Sequence, residues 1–142
     1  MSTPVNRSLP LEQLEGRRWP NPPEDATSMV KNVHELRRRP LGELQAHELA
    51  RLIGQNVGLP WLLPPAVEIL RDTATTQAAG GWYDDDLLYA VVTRDADAWA
   101  DFPALARDLK EIVTGLKDLS RYVKTEVDAF IAMPLRDEGH AP

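Results

Sequence analysis

Apolar side chains between residues 105 and 130 fall at Leu105, Leu109, Ile112, Leu116, Leu119, Val123, Val127 and Phe130, with intervals of four, three, four, three, four, four and three. That rhythm follows the 3.6-residue turn of an α-helix. It predicts one long amphipathic helix from about Pro103 to Met133, or a pair that meets near Gly115 or Ser120. Pro103 stands where a first-turn proline belongs, because its missing N–H would have no partner there anyway. A stripe of this kind gives the helix a face to pack on others; self-association as a coiled coil is the lesser reading.

Similar patterns place the earlier elements. "LPLEQLEG" (9–16) predicts one or two helical turns stopped by Gly16, and "WPNPPEDA" (19–26) holds three prolines and predicts an extended loop that Trp19 anchors to the body. "TSMVKNVHELRRRP" predicts a helix from about Thr27 to Arg38, capped by Thr27 or Ser28 and stopped by Pro40. Its buried face is expected to be Met29, Val30, Val33 and Leu36, and its three arginines suit the negative end of the helix dipole. "QAHELARLIGQNVG" (45–58) sets Leu49, Leu52 and Ile53 at helical spacing, with Gly54 or Gly58 near the end. "LPWLL" (59–63) is expected to turn, with the next helix starting at Pro64 or Pro65 and ending near Asp72, before a flexible loop "DTATTQAAGGW" (72–82). Leu87–Thr93 has strand-like composition, yet three aspartates ahead of an apolar run favour a helix N-terminus, and a helix is the reading taken. The fold class is therefore all-α: a compact multi-helix single domain over residues 8–133, with flexible ends at 1–7 and 134–142.

The most apolar stretch is "LARLIGQNVGLPWLLPPAVEIL" (49–70), which between Leu52 and Leu70 carries one charge, Glu68. A membrane span needs about 20 continuous apolar residues, and here Gln55, Asn56, two glycines and three prolines interrupt the run. Leu49, Ala50, Ile53 and Gly54 imitate the start of a helix-turn-helix, but the would-be recognition helix offers no Arg, Lys, Asn or Gln beyond Asn56. Core filling remains, with Trp61 buried or half-buried between two helices.

Composition narrows the function. At 142 residues one ordinary domain buries enough surface to need no staple, and without cysteine there is no disulfide, thiolate site or cysteine nucleophile. The first residues lack the basic and apolar regions of a signal peptide, so a cytoplasmic protein is expected. Sixteen Lys and Arg stand against 22 Asp and Glu, for a net charge of -6. Residues 1–60 hold eight basic and seven acidic side chains; residues 61–142 hold eight and fifteen, or -7. Such a surface suits a basic protein partner, and neither nucleic acid nor a membrane is expected to be one.

Assembled catalysis is not visible. His34, His47 and His140 are not paired at the i, i+4 spacing of a helical metal site. No serine lies in a nucleophile elbow, and no glycine-rich phosphate loop occurs. The chain is read as having no catalytic residue, no cofactor and no metal, and as not being an enzyme. "WYDDD" (82–86) and "DADAWAD" (95–101) carry six aspartates with only Arg94 between them, or -5 over 18 residues. Capping by Asp84 and Asp95 and the helix dipole account for some of these; the surplus marks Asp84, Asp85, Asp86, Asp95, Asp97 and Asp101 as candidates for a docking surface. A Mg²⁺ or Ca²⁺ site, and with it a small metal-dependent enzyme, is the minor alternative.

"LEQLEG" (11–16), "HELRRRPLGEL" (34–44), the stretch 49–70 and "WYDDDLL" (82–88) together resemble one group of immunity proteins of bacterial contact-dependent growth inhibition systems. The resemblance covers roughly residues 8–105 and is sharpest in "RRPLGEL" followed by "LIGQNVGL" and a proline-bearing helix. The group has Pro-Gly before its Asp-Leu-Leu element, where this chain has Asp84 and Asp85. The resemblance implies a non-enzymatic cytosolic protein that binds and neutralises a cognate toxin domain, a nuclease with a basic cleft being one class an acidic surface would suit. It assigns no binding residue. A helical adaptor for some other protein is the alternative, and the oligomeric state is left open.

Overall fold

The computed structural model describes residues 6–78, 85–117 and 119–134, with backbone alone for 75–78 and 85. Among them the order is α1 (Leu11–Glu15), α2 (Ser28–Leu36), a 3₁₀ turn (Leu41–Glu43), α3 (Ala46–Gly54), α4 (Leu59–Ala78), α5 (Asp85–Val92), α6 (Ala96–Trp99), α7 (Pro103–Thr114) and α8 (Arg121–Ala132). No strand occurs among the described residues, and the all-α reading holds. α3 lies along α5, α4 packs on α3 and α7, and α8 closes against α5 and α7. One continuous core runs through them, from Leu11 to Phe130.

The stretch 49–70 fills that core. Leu49, Ala50, Leu52 and Ile53 of α3 and Leu62, Leu63, Ala66, Val67 and Leu70 of α4 are all buried. α4 differs from the sequence expectation at both ends. It begins at Leu59 and continues past Asp72 to Ala78, with Pro64 and Pro65 inside it. Each proline removes one helical N–H and crowds the carbonyl four residues earlier, a cost of about 3 kcal/mol in an ordinary helix interior. The helix tolerates this because Leu59, Leu62, Leu63, Ala66, Val67 and Leu70 form one stripe that crosses the prolines, and all but Leu59 are fully buried. Starting at Pro64 would leave Leu62 and Leu63 out of phase with that stripe.

The turn from α3 to α4 is set by two residues in the left-handed region, Asn56 (φ 59°) and Gly58 (φ 66°). Asparagine tolerates this conformation, and glycine adopts it freely. Gly58 O then accepts from the N–H groups of Trp61 and Leu62, both at 3.0 Å, and so opens α4. Space matters here as well as φ: a Cβ at Gly58 would lie 2.4 Å from Leu11 Cδ2. α1 is thereby packed directly on the turn.

Residues 7–19 form a strap across α2 and the 3₁₀ turn. Gly42 N–H donates to Arg7 O (2.8 Å), Leu41 N–H to Leu9 O (3.2 Å) and Glu12 N–H to Arg37 O (3.0 Å), so contacts with the body begin at Arg7. α1 ends as predicted at Gly16, which takes φ 65°. Arg37 locks the strap. It is 1% exposed and the one buried charged residue of the described chain. Its Nη2 donates to Glu15 Oε1 (2.7 Å) and to Arg17 O (2.9 Å), its Nε donates to Glu15 Oε1 (3.2 Å), and its guanidinium lies 3.9 Å from the Trp19 ring centre. Trp19 also meets His34 edge-on at 5.1 Å, which anchors the proline-rich loop as expected. The three arginines thus do more than answer a helix dipole: Arg38 reaches Asn21 (2.8 Å) and Arg39 reaches Glu48 (2.8 Å).

Two other expectations meet the structure. Thr27 caps α2 by accepting from Val30 N–H (3.2 Å), but Met29 and Val30 are 42% and 40% exposed. α2 enters the core through Val33 and Leu36, near its C-terminal end, and its first turn stands outside. The C-terminal stripe is a helix pair: α7 runs from Pro103 to Thr114, where Gly115 caps it, and α8 starts at Arg121. Lys110 Nζ reaches back to Met133 O (2.5 Å), a cation at the negative end of α8. Trp99, 1% exposed, packs on Phe130 with ring centres 5.5 Å apart. Residues 79–82 of the expected loop, 1–5 of the expected flexible N-terminus and 135–142 of the expected tail lie outside the described residues.

Gly58→Ala combines a left-handed φ with a clash against the buried Leu11 side chain, and should cost about 2–4 kcal/mol in urea denaturation; a change under half a kcal/mol would show that the turn relaxes freely. Arg37→Ala leaves Glu15 and the Arg17 carbonyl without their donor, and should cost roughly 2–4 kcal/mol. Amide exchange should then accelerate through residues 10–19 before it does in α3 or α7.

Candidate interaction surface

α5 faces both ways. Leu87, Leu88, Ala90, Val91 and Val92 are buried, while Asp86 and Tyr89 point outward. Its composition suits a strand, but these apolar positions at i, i+1, i+3, i+4 and i+5 wrap a helix that is buried against three neighbours. At its C-terminal end Arg94 ties it down: Nε donates to Ala90 O (2.9 Å), and Nη1 reaches Asn56 Oδ1 (2.7 Å) and Gly54 O (3.4 Å). This contact joins the ends of α3 and α5, so the two helices run in the same direction.

α3 is placed with equal care. Gln45 N–H donates to Glu48 Oε1 (2.9 Å), and Arg39 holds Oε2. The hydrogen bond from Gln45 is the main reason the Glu48 carboxyl sits below its usual value; burial opposes the shift, and Arg39 and His47 add to it.

Between α3 and α5 lies an open groove of about 350 Å³. Its lining includes His47, Arg51 and Gln55 from α3 and its end, and Asp86, Tyr89 and Arg94 from α5 and its end. Met29 from the exposed first turn of α2 reaches it too. A smaller cleft of about 200 Å³, lined by Trp19, Val30, Val33, His34 and Val57, shares Met29 and Gln55 with the groove. Tyr89 packs on Tyr122 of α8, with ring centres 5.5 Å apart and the rings tilted by 54°. Tyr89 and Tyr122 are 39% and 59% exposed, so this aromatic pair stands on the surface next to the groove.

The six candidate aspartates do not gather at one point. Asp84 lies outside the described residues, and Asp85 is the first residue of α5. Asp86 is exposed near that N-terminus, and Asp95, Asp97 and Asp101 are exposed on and around α6. The eight residues of α5, about 12 Å at helical rise, separate the two groups. Asp95 is the N-cap of α6, accepting from Ala98 N–H (3.0 Å), as the capping argument expects. Among the described residues no three His, Asp or Glu side chains converge to hold a metal ion. Sequence reasoning missed Met29, Tyr89 and Arg94 as surface determinants. The exposure of Met29 follows from tertiary packing alone, whereas Tyr89 lies three residues after Asp86 and so shares its helix face.

The arrangement defines a helical protein with an apolar interior, internal arginine ties and a mixed groove open to a partner. In sequence, residues 13–109, from within α1 into α7, match the family of CDI immunity proteins, and the chain belongs to that family of contact-dependent growth inhibition systems. No curated protein and no solved structure matches it. No described helix is long and apolar enough to cross a membrane.

Folding lowers the Glu48 pKa, so its ionised form contributes stability above the ordinary value of 4.5, and that contribution is lost as pH falls through the lower folded value. Glu48→Gln should cost about 0.5–1.5 kcal/mol at neutral pH. The gap from wild type should close as the solution is acidified, and a pH-independent gap would trace the effect to packing.

Proposed function

We propose that the chain binds and neutralises a cognate toxin domain of a contact-dependent growth inhibition system, in the cytosol and without catalysis. Membership of the immunity family carries this reading. The residues support it in two ways. The buried arginine and the cap residues are engaged in architecture, and the excess negative charge lies in residues 61–142, much of it on the exposed parts of α5 and α6. Inhibition then needs only a surface that covers the toxin's active site or another essential face. Where the toxin is a nuclease, its cleft is built to hold phosphates, and carboxylates compete for the same cations.

Asp84, Asp85, Asp86, Asp95, Asp97 and Asp101 contribute to the electrostatic part of this surface. Co-expression with the toxin domain encoded immediately upstream should restore growth and yield a stable co-purified complex; without rescue, an adaptor for another protein becomes the better reading. Replacing the six aspartates by asparagine should slow association at low salt by roughly tenfold or more and flatten its salt dependence. Association rates equal to wild type would remove these residues from the surface.

A further inference from the structure

The charge of the α3–α5 groove is opposite in sign to that of the aspartate-rich surface beside it. Two arginines, Arg51 and Arg94, line it with one carboxylate, Asp86. Among the described residues both arginines donate to neutral oxygens alone: Arg51 to Asn32, and Arg94 to Gly54, Asn56, Ala90 and Thr93. Such bonds leave a guanidinium its full charge. The positive charge also gathers at one end. Arg94 bonds the carbonyl of Gly54, the last residue of α3, and Arg51 lies three residues before Gly54, about 5 Å at helical rise. Asp86 lies eight residues before Arg94 along α5, about 12 Å away by the same rise.

The two arginines differ in what they still offer. Arg94 spends Nε, Nη1 and Nη2 on the fold, where it answers the negative ends of α3 and α5. Arg51 is exposed and uses Nη1 alone, on Asn32. Its Nε and Nη2 remain, and these form the parallel pair of donors that grips a carboxylate side-on. Around it the groove adds the Gln55 amide and the Tyr89 hydroxyl as further donors, and Met29, Ala50 and Ala90 as apolar wall. A free inorganic anion gains nothing from the apolar wall, whereas a carboxylate carried on a protein segment uses both parts.

We infer that this groove receives an aspartate or glutamate of the toxin, held side-on by Arg51 with the charge of Arg94 behind it. The inference rests on the immunity reading, and charge complementarity selects the occupant. It gives the docking surface two signs. The exposed aspartates attract a basic region of the partner from a distance, and the groove accepts a carboxylate only where the two surfaces meet in register. Opposite signs side by side fix orientation and disfavour a toxin that lacks the matching carboxylate.

The test uses the full-length protein and the purified toxin domain encoded immediately upstream, with affinity measured for Arg51→Ala, Arg51→Lys and Arg51→Glu. Arg51 is exposed, so all three should melt like wild type; Arg17→Ala, exposed and outside the groove, removes the same charge and is the control. Arg51→Ala should bind about tenfold more weakly and Arg51→Glu about a hundredfold. Arg51→Lys should recover only part of the loss, because an ammonium lacks the paired donors. Arg17→Ala should stay within about twofold of wild type. Replacing the toxin's exposed Asp and Glu by Ala one at a time should find one whose loss weakens binding to wild type but not to Arg51→Ala. Wild-type affinity in Arg51→Glu, an equal loss in Arg17→Ala, or the absence of any toxin carboxylate coupled to Arg51 overturns this inference and leaves the immunity reading standing. No binding by the parent protein overturns both.

Discussion

Four helices are fixed relative to one another by the four residues Gln55–Gly58. Gly58 and Asn56 adopt left-handed backbone angles that aim α4 back across α3. Leu11 fills the space that a side chain at Gly58 would occupy, which seats α1 there. Asn56 and the Gly54 carbonyl accept from Arg94, which seats the end of α5. Steric, conformational and polar constraints thus act on one turn, and the buried stripe of α4 follows from the direction it sets. Because the hydrogen bonds to Arg94 also align α3 with α5, the groove on the outside depends on the same turn as the core on the inside.

The strap is a second level of organisation, and its chemistry differs. A fully buried arginine is expensive unless its donors are met and its face is covered. Arg37 has a carboxylate, a carbonyl and an indole to do this. All three come from residues 15–19, so the desolvated cation organises a segment with too few apolar residues to hold itself in place. Here "HELRRRPLGEL" has a structural role: one arginine pins the strap, one braces the loop at Asn21, and one steadies the start of α3 through Glu48.

Helical periodicity made most of the fold legible. The C-terminal stripe, the Thr27 cap, the Gly16 stop and the first-turn proline of α7 are all local signals, and local signals survive in a single sequence. α4 was misread because proline was weighed by its local cost alone. The stripe through Leu59, Leu62, Leu63, Ala66, Val67 and Leu70 was present in the same residues, and tertiary burial outweighed that cost. The exterior was harder to read. Composition pointed to aspartates as one run, but a helix placed Asp86 and Asp95 at opposite ends of α5 and assigned Asp95 to a cap. Met29 fits the spacing of Val33 and Leu36, yet the position of the neighbouring helices leaves it 42% exposed.

Along α5 the residues that fill the interior and those that face outward alternate within one short helix. Leu87, Leu88 and Val91 contribute to cohesion of the fold, whereas Asp86 and Tyr89 take no part in the core. Substitution at exposed Asp86 removes no core contact, whereas substitution at Tyr89 removes its packing on Tyr122. Charge and shape at those two positions can therefore change without re-solving the packing problem, and one interior can carry differing exteriors on this short helix.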